Sequence, residues 1–386
     1  MVLRGVLPIE ERYDLWRLAT FVPNKTLPIH RWFYFKEGFS RELVIMLLKE
    51  LGARIGDLVL DPFVGSGTTP LACVEAGYRA IGVDASPLAV FVSNAKTRRY
   101  NPEELEGALE DCLSARPGRV SVEGMSSLVL RAFPRRSLLE LIGLREVIMS
   151  MESSDSRTFL LMCLLCAGVG ASYIYREGGV LTFRKRPVPP LRPYFRRLAR
   201  RMIEDVRRVV IRADPPLILL GDARRLEAIG DCSIDHIITS PPYLNKIEYT
   251  RVYAVELELF FGKTPEDLVR SYIGLIPKRP PEPLPGHEDL PDSAVLYFRD
   301  LESALAEMLR VLKPGGRAAV VVAGGVYPGM VVESDKILAE LAAGLGFELE
   351  RLRVVGKRVA TSGRTHRIGA ARESILYLRK PPRPDH

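Results

Sequence analysis

Between Asp57 and Asp84 the chain alternates in a way that few folds accommodate. Asp57-Leu-Val-Leu60 is a short apolar run of strand length, and Asp61-Pro-Phe-Val-Gly-Ser-Gly-Thr-Thr69 is a loop dense in turn formers. Pro70–Gly77 continues as a helix, and Arg79-Ala-Ile-Gly-Val83 is a second apolar run that ends on Asp84. Strands without polar alternation are covered on both faces, and a helix between two of them returns the chain parallel to itself. The pattern predicts the opening of a doubly wound, Rossmann-like α/β sheet.

The same alternation resumes in the second half. Leu217-Ile-Leu-Leu220 reads as a strand ending in Gly221-Asp222, and Ile234–Ile238 as the next. Phe298–Leu312 reads as a helix closed by Lys313-Pro-Gly-Gly316, and Ala318–Val322 as a strand. Glu348–Val354 and Ser374–Leu378 are expected to be the last two strands, antiparallel at the sheet edge, while 277–292 is a proline-rich surface loop. Residues 102–212 interrupt the alternation with helical periodicity, as in Leu138–Met149 and Ser156–Gly168. This predicts an N-terminal arm over 1–40, rich in aromatics and prolines, and a catalytic domain made of 41–101 and 213–386. Residues 102–212 form a largely helical, basic insertion between its two parts.

Composition narrows the function classes. The 386 residues are 47% hydrophobic and 26% charged, which suits one large or two modest globular domains. The N-terminus lacks a signal-peptide core, and the apolar runs fall short of the roughly 18 residues of a membrane span. The expected location is the cytoplasm, with no membrane partner. Cys163 and Cys166 form a C-x-x-C inside the apolar run Phe159–Ala167, with no second ligand pair in view. Core packing accounts for them, and no metal is expected. The formal net charge of +8 favours a polyanionic partner. From Arg184 to Arg212 there are eleven Lys/Arg and two acids. Arg196, Arg197, Arg200, Arg201, Arg207 and Arg208 recur there at near-helical spacing, a candidate phosphate-contacting ridge.

Gly65-x-Gly67 between a strand and a helix lets backbone approach a ligand closely. No lysine follows it, so it is not a P-loop, and Pro70 stands where a dehydrogenase fingerprint has its third glycine. Asp61 at the loop entrance would repel a pyrophosphate and could accept from an ammonium group. Asp84 at the tip of the second strand is placed to bind ribose hydroxyls.

Residues 239–243 read Thr-Ser-Pro-Pro-Tyr directly after a buried strand. Pro241 and Pro242 stiffen the chain and donate no N–H, Ser240 offers a side-chain oxygen, and Tyr243 a ring face. Such a site can hold a flat heterocycle by an amino group. No cysteine follows a proline, so cytosine C5 chemistry through a thiol nucleophile is disfavoured.

Together, Asp61-Pro-Phe-Val-Gly-Ser-Gly-Thr-Thr69 and Thr239-Ser-Pro-Pro-Tyr243 resemble the two hallmark motifs of the S-adenosylmethionine-dependent amino-methyltransferases that modify cytosine N4 or adenine N6. Phe35-Lys-Glu-Gly-Phe-Ser40 resembles the element that closes over the methionine end of the cofactor. The resemblance covers roughly 30–100, 215–325 and the final strands. It implies a cofactor site of Phe39, Ser40, Asp61, Pro62, Phe63, Gly65, Ser66, Gly67, Thr68, Thr69, Asp84, Ala85, Asp222 and Ala223. It implies a catalytic loop of Ser240, Pro241, Pro242 and Tyr243. Ser240 Oγ and the Pro241 carbonyl would pull on the amine N–H bonds, and Tyr243 would stack on the base. The resemblance puts Asp222 at the adenine end of the cofactor, with a helix N-cap as the alternative.

Serine at the head of the tetrapeptide tilts the target toward cytosine N4 in nucleic acid, with DNA the family default and adenine N6 the neighbouring alternative. The insertion sits between the second and third strands rather than beside the catalytic motif, which keeps a structured RNA target open. Arg184, Lys185, Arg186, Arg196, Arg197, Arg200, Arg201 and Lys246 are the expected nucleic-acid contacts. Methylation of a protein glutamine amide and a non-catalytic nucleic-acid binder are the remaining readings.

Overall fold

The computed structural model describes residues 8–35, 38–177, 179–244, 248–268, 280–362 and 366–383. Its strands, in chain order, are β1 (Ile9–Glu11), β2 (Leu58–Asp61), β3 (Arg79–Asp84), β4 (Ile174–Glu177), β5 (Val180–Phe183) and β6 (Leu217–Leu220). They continue with β7 (Ile234–Thr239), β8 (Leu312–Ala323), β9 (Gly325–Tyr327), β10 (Met330–Val332), β11 (Glu348–Ser362) and β12 (His366–Arg379). The helices of the first half are α1 (Arg41–Glu50), α2 (Thr68–Ala76), α3 (Pro87–Thr97), α4 (Pro102–Ser114), α5 (Ser127–Ala132), α6 (Arg135–Met149), α7 (Ser154–Gly170) and α8 (Leu191–Arg208). After them come α9 (Tyr249–Val252), α10 (Ala254–Phe261), α11 (Pro265–Leu268), α12 (Asp292–Val311) and α13 (Ser334–Leu345).

Eight strands form one sheet in the order β1-β11-β12-β8-β7-β2-β3-β6. The run β8-β7-β2-β3-β6 is parallel, and β12 is antiparallel to both β8 and β11. The doubly wound α/β class read from the sequence is therefore present. So is the antiparallel pairing of the last two strands, although β12 lies inside the sheet. The outermost place next to β11 is taken by β1, at the start of what reads as an irregular arm. Three residues are too few to carry a hydrophobic period, so only the tertiary pairing reveals this strand. The β7–β2–β3 register carries Asp61, Asp84 and Thr239 to the same carboxyl edge, where the chain winds away in opposite directions on either side of β2 and β7. Open α/β sheets bind ligands at such a crossing.

Two boundaries matter for the site. Gly67 caps α2 with φ at 79°, and a Cβ there would meet Ser93 Oγ at 2.6 Å and Ser93 Cα at 2.9 Å. Only glycine lets α2 and α3 approach this closely beneath the loop. Ser40 caps α1, its hydroxyl accepting from the Leu43 N–H at 3.1 Å.

Residues 102–212 form α4 to α8 with the small β4–β5 hairpin, and their apolar face is not separate from the rest. Leu105, Leu141, Phe159 and Phe195 share one buried cluster with Leu71 and Val74 of α2, Leu88 and Val92 of α3, and Trp32 of the arm. Cys163 is buried with its thiol against Met202, and Cys166 donates to the Trp32 carbonyl at 2.9 Å. Asp205 on α8 is fully buried and takes Arg31 in an ion pair, the Trp32 indole N–H at 3.0 Å and the Ile29 N–H at 3.5 Å. Lys96 on α3, also buried, donates to the carbonyls of His30 and Phe33 at 3.1 and 3.4 Å, and burial pushes its pKa down to about 7. No helix among the described residues is long and apolar enough to cross a membrane. Removing one partner from a buried ion pair costs about 3–5 kcal/mol. Asp205→Ala is accordingly expected to lower the unfolding free energy by about that amount, measurable by urea denaturation followed by circular dichroism.

Candidate active site

The carboxyl edge of the sheet opens into one cavity. Its wall is built from the β2–α2 loop (Asp61, Pro62, Phe63, Val64, Gly65, Ser66, Thr68), the tip of β3 (Asp84, Ala85, Ser86) and the turn after β6 (Asp222, Ala223). Ser240 and Pro242 after β7 complete the floor, and Phe35, Gly38, Phe39, Tyr249 and Tyr253 the cover. Two motifs separated by 170 residues of chain thus face one space.

Asp61 and Asp84 are the electrostatic centre. The Thr239 hydroxyl donates to Asp61 Oδ1 at 2.6 Å and the Phe63 N–H at 3.1 Å. Asp84 accepts the Gly65 N–H on one oxygen and the Ser86 N–H on the other, each at 2.9 Å. Burial raises both carboxyls to about 6, against these hydrogen bonds, which pull the other way. Such carboxylates gain from a cation or from hydroxyl donors brought into the cavity. Asp84 also has a second task that its position in the sequence conceals, because it holds the glycine loop by the Gly65 amide.

The other expected residues fall into place unevenly. Phe39, Pro62, Phe63, Ser66, Thr68, Ala85 and Ala223 line the cavity. Gly67, Ser40 and Thr69 support it from behind: Gly67 and Ser40 shape the starts of α2 and α1, and Thr69 Oγ1 lies 3.5 Å from the Ile238 carbonyl. Asp222 is no helix cap. It grips Arg224 through its side chain at 2.6 Å and its N–H at 2.9 Å. Burial raises its pKa, but the Arg224 hydrogen bonds outweigh that and hold it below the ordinary value.

Ser240 faces the cavity with no side-chain hydrogen bond among the described residues, so its oxygen is available to a ligand. Pro242 lines the wall and Pro241 is buried behind it. Tyr243 is buried at the end of the loop. It is 6% exposed, outside the cavity wall, and its hydroxyl donates to Glu373 of β12 at 2.9 Å. Besides Phe39 and Phe63, the aromatic rings that line the cavity are Phe35, Tyr249 and Tyr253, with Phe35 stacked on Tyr249 at 5.2 Å and on Tyr253 at 5.3 Å. Tyr253 was missed as a site residue. Its signal was the spacing Tyr249-x-x-x-Tyr253, one helical turn, just after the catalytic loop.

The basic residues divide into two groups. Arg196, Arg197, Arg200 and Arg201 are exposed on α8, where Arg200 pairs with Glu110 at 2.9 Å. Arg184, Lys185 and Arg186 are exposed where the chain leaves β5. Lys246 lies outside the described residues.

A family model for N6/N4 methyltransferases, described as DNA methylase, matches residues 9–93. The type II methyltransferase M.BsoBI of Geobacillus stearothermophilus is 25% identical over 449 residues, spanning 95% of this chain and 88% of that protein. The chain is similar to this amino-methyltransferase family, through the family model at its N-terminal part and through M.BsoBI along most of its length. M.AvaI of Nostoc sp., another type II methyltransferase, is 24% identical over 440 residues, with 95% and 89% of the two chains covered. M.MjaII of Methanocaldococcus jannaschii reaches 36% over 91 residues, but only 24% of this chain and 17% of its own.

The pair of raised carboxyls gives the cavity a pH signature. Both must be ionised to accept from a cationic, hydroxyl-rich ligand, and each is ionised above about pH 6. The dissociation constant for S-adenosylmethionine is expected to be level above that pH and to rise as the pH falls through it, read by calorimetry. In the empty protein the same shift has the opposite sign. A carboxyl that binds its proton more tightly folded than unfolded adds stability as the pH falls from about 6 toward about 4. An affinity that does not change across this range would remove the two aspartates from ligand binding.

Proposed function

We propose that this chain transfers the methyl group of S-adenosylmethionine to the exocyclic N4 amine of cytosine in DNA. The observation that carries the reading is the convergence of Asp61, Gly65, Asp84 and Ser240 on one aromatic-covered cavity. S-Adenosylmethionine is the cofactor. Asp84 keeps lone pairs for the ribose hydroxyls, Asp61 meets the charged methionine end, and the Gly65–Gly67 loop lets the ligand lie against backbone. The sulfonium supplies an activated methyl group, so no protein nucleophile is needed.

An exocyclic amine is a poor nucleophile because its lone pair is delocalised into the ring. Ser240 Oγ and a carbonyl of the Pro-Pro turn accept its N–H bonds and turn the lone pair toward the methyl. Rigidity matters here, since holding reactants in line is worth about 7–11 kcal/mol in a well-oriented site. The flat base meets Tyr249 and Tyr253 as it enters, and a base from a duplex first leaves its stack at a cost of a few kcal/mol. The Ser-Pro-Pro-Tyr form supports cytosine over adenine, and the type II relatives support DNA over RNA as the polymer.

The test is incubation of purified protein with labelled S-adenosylmethionine and separate DNA and RNA pools, followed by nucleoside mass spectrometry. N4-methylcytosine in DNA is expected. N6-methyladenine would move the base assignment, and label confined to RNA would move the polymer. Ser240→Ala is expected to lower kcat by roughly 10²-fold while leaving cofactor affinity within a factor of about two. A loss concentrated in cofactor binding would overturn the role given to Ser240.

A further inference from the structure

The insertion meets the elements that cover the cavity through the β4–β5 hairpin and through Ser126, whose hydroxyl donates to Glu258 of α10 at 2.7 Å, and not through the helix with the most arginines. Arg176 of β4 donates through Nε to the Val252 carbonyl at 3.0 Å and forms an ion pair with Glu256, whose side chain is 2% exposed. Its guanidinium lies 4.9 Å from the centre of the Tyr253 ring. The β4–β5 hairpin is thereby fastened to α9 and α10, the elements that carry Tyr249 and Tyr253 into the cavity wall.

The hairpin is also cationic where it leaves the rim. Arg184 lies flat on the Tyr175 ring, 3.5 Å from its centre, and Arg131 of α5 stands over Phe183 at 5.2 Å. Arg184 also pairs with Glu177 of β4 at 2.7 Å, which leaves its remaining N–H groups for phosphate. Lys185 and Arg186 follow, exposed and without an acidic partner among the described residues. The α8 ridge is built differently. It packs on α4, α6 and α7 and contributes nothing to the cavity wall. Two of its arginines meet acids of α4, Arg200 with Glu110 and Arg207 with Glu106 at 3.0 Å, while Arg196, Arg197 and Arg201 are exposed.

We infer that the β4–β5 hairpin and the Arg184–Arg186 exit are the surface that holds the sugar-phosphate backbone of the target DNA beside the cavity. Arg176 fixes that surface to the aromatic wall that meets the base. The inference rests on the DNA-methyltransferase reading above. Phosphate contacts of this kind set register and orientation rather than sequence choice.

The experiment compares Lys185→Ala/Arg186→Ala with Arg196→Ala/Arg201→Ala in the full chain, using a fluorescent duplex and fluorescence anisotropy over a salt series. Each lost phosphate contact lowers the slope of log K against log salt by about 0.9. The hairpin pair is expected to lower the slope by about 2 and to raise KM for DNA by about tenfold or more at moderate salt. The kcat at saturating DNA and the affinity for S-adenosylmethionine stay as in the parent protein. A parental slope in the hairpin variant, or a loss confined to the α8 variant, overturns the assignment. Parental protein that binds cofactor but methylates no DNA overturns the underlying reading instead, whatever the slopes show.

Discussion

The hydrogen bond from Thr239 to Asp61 holds the site together. It joins the last residue of β7 to the last residue of β2, strands that are neighbours in the sheet and 178 positions apart in the chain. One partner heads the glycine loop and the other precedes Ser240. The bond sets the depth of Ser240 relative to the cavity. At the opposite end of the same strand pair, Asp235 accepts the Leu58 N–H at 2.9 Å and His236 meets Asp57 at 3.2 Å. The pair is pinned at both ends, so the register cannot slip without moving every side chain to the wrong face.

The cover over that frame is assembled from distant pieces. Phe35 arrives on the N-terminal arm, and the arm is held by Asp205 from the insertion and by Lys96 from α3. Tyr253 arrives at the junction of α9 and α10, held by Arg176 from the hairpin. Both groups are buried charges whose desolvation is offset only by well-made hydrogen bonds, which makes their geometry unforgiving. The aromatic lid is thus as ordered as its two ionic anchors. Each anchor involves residues 102–212.

Much of this was legible in the chain. Apolar runs of strand length with glycine loops between them announced the parallel sheet, and two short motifs marked the cavity floor. The legible residues are those whose role is local: a turn needing Gly67, a strand tip ending on Asp84. What stayed hidden depends on partners far away. The hydrogen bond from the Tyr243 hydroxyl to Glu373 on β12 joins residues 130 positions apart. Two arginines of the α8 ridge, Arg200 and Arg207, find acids on α4, some ninety or more positions earlier in the chain. Ile9–Glu11 became a strand only because β11 offers it an edge. Pairings across more than a hundred residues leave no periodic trace in a single sequence.

The shared apolar cluster of the insertion, arm, α2 and α3 has a consequence for how such an enzyme could change. A recognition region that folds by itself can be traded between relatives as a cassette. Here, cutting out residues 102–212 would strip Leu71, Val74, Leu88 and Val92 of their neighbours and leave the arm without its anchor. Change in this region is confined to solvent-facing residues, on a scaffold that cannot be detached.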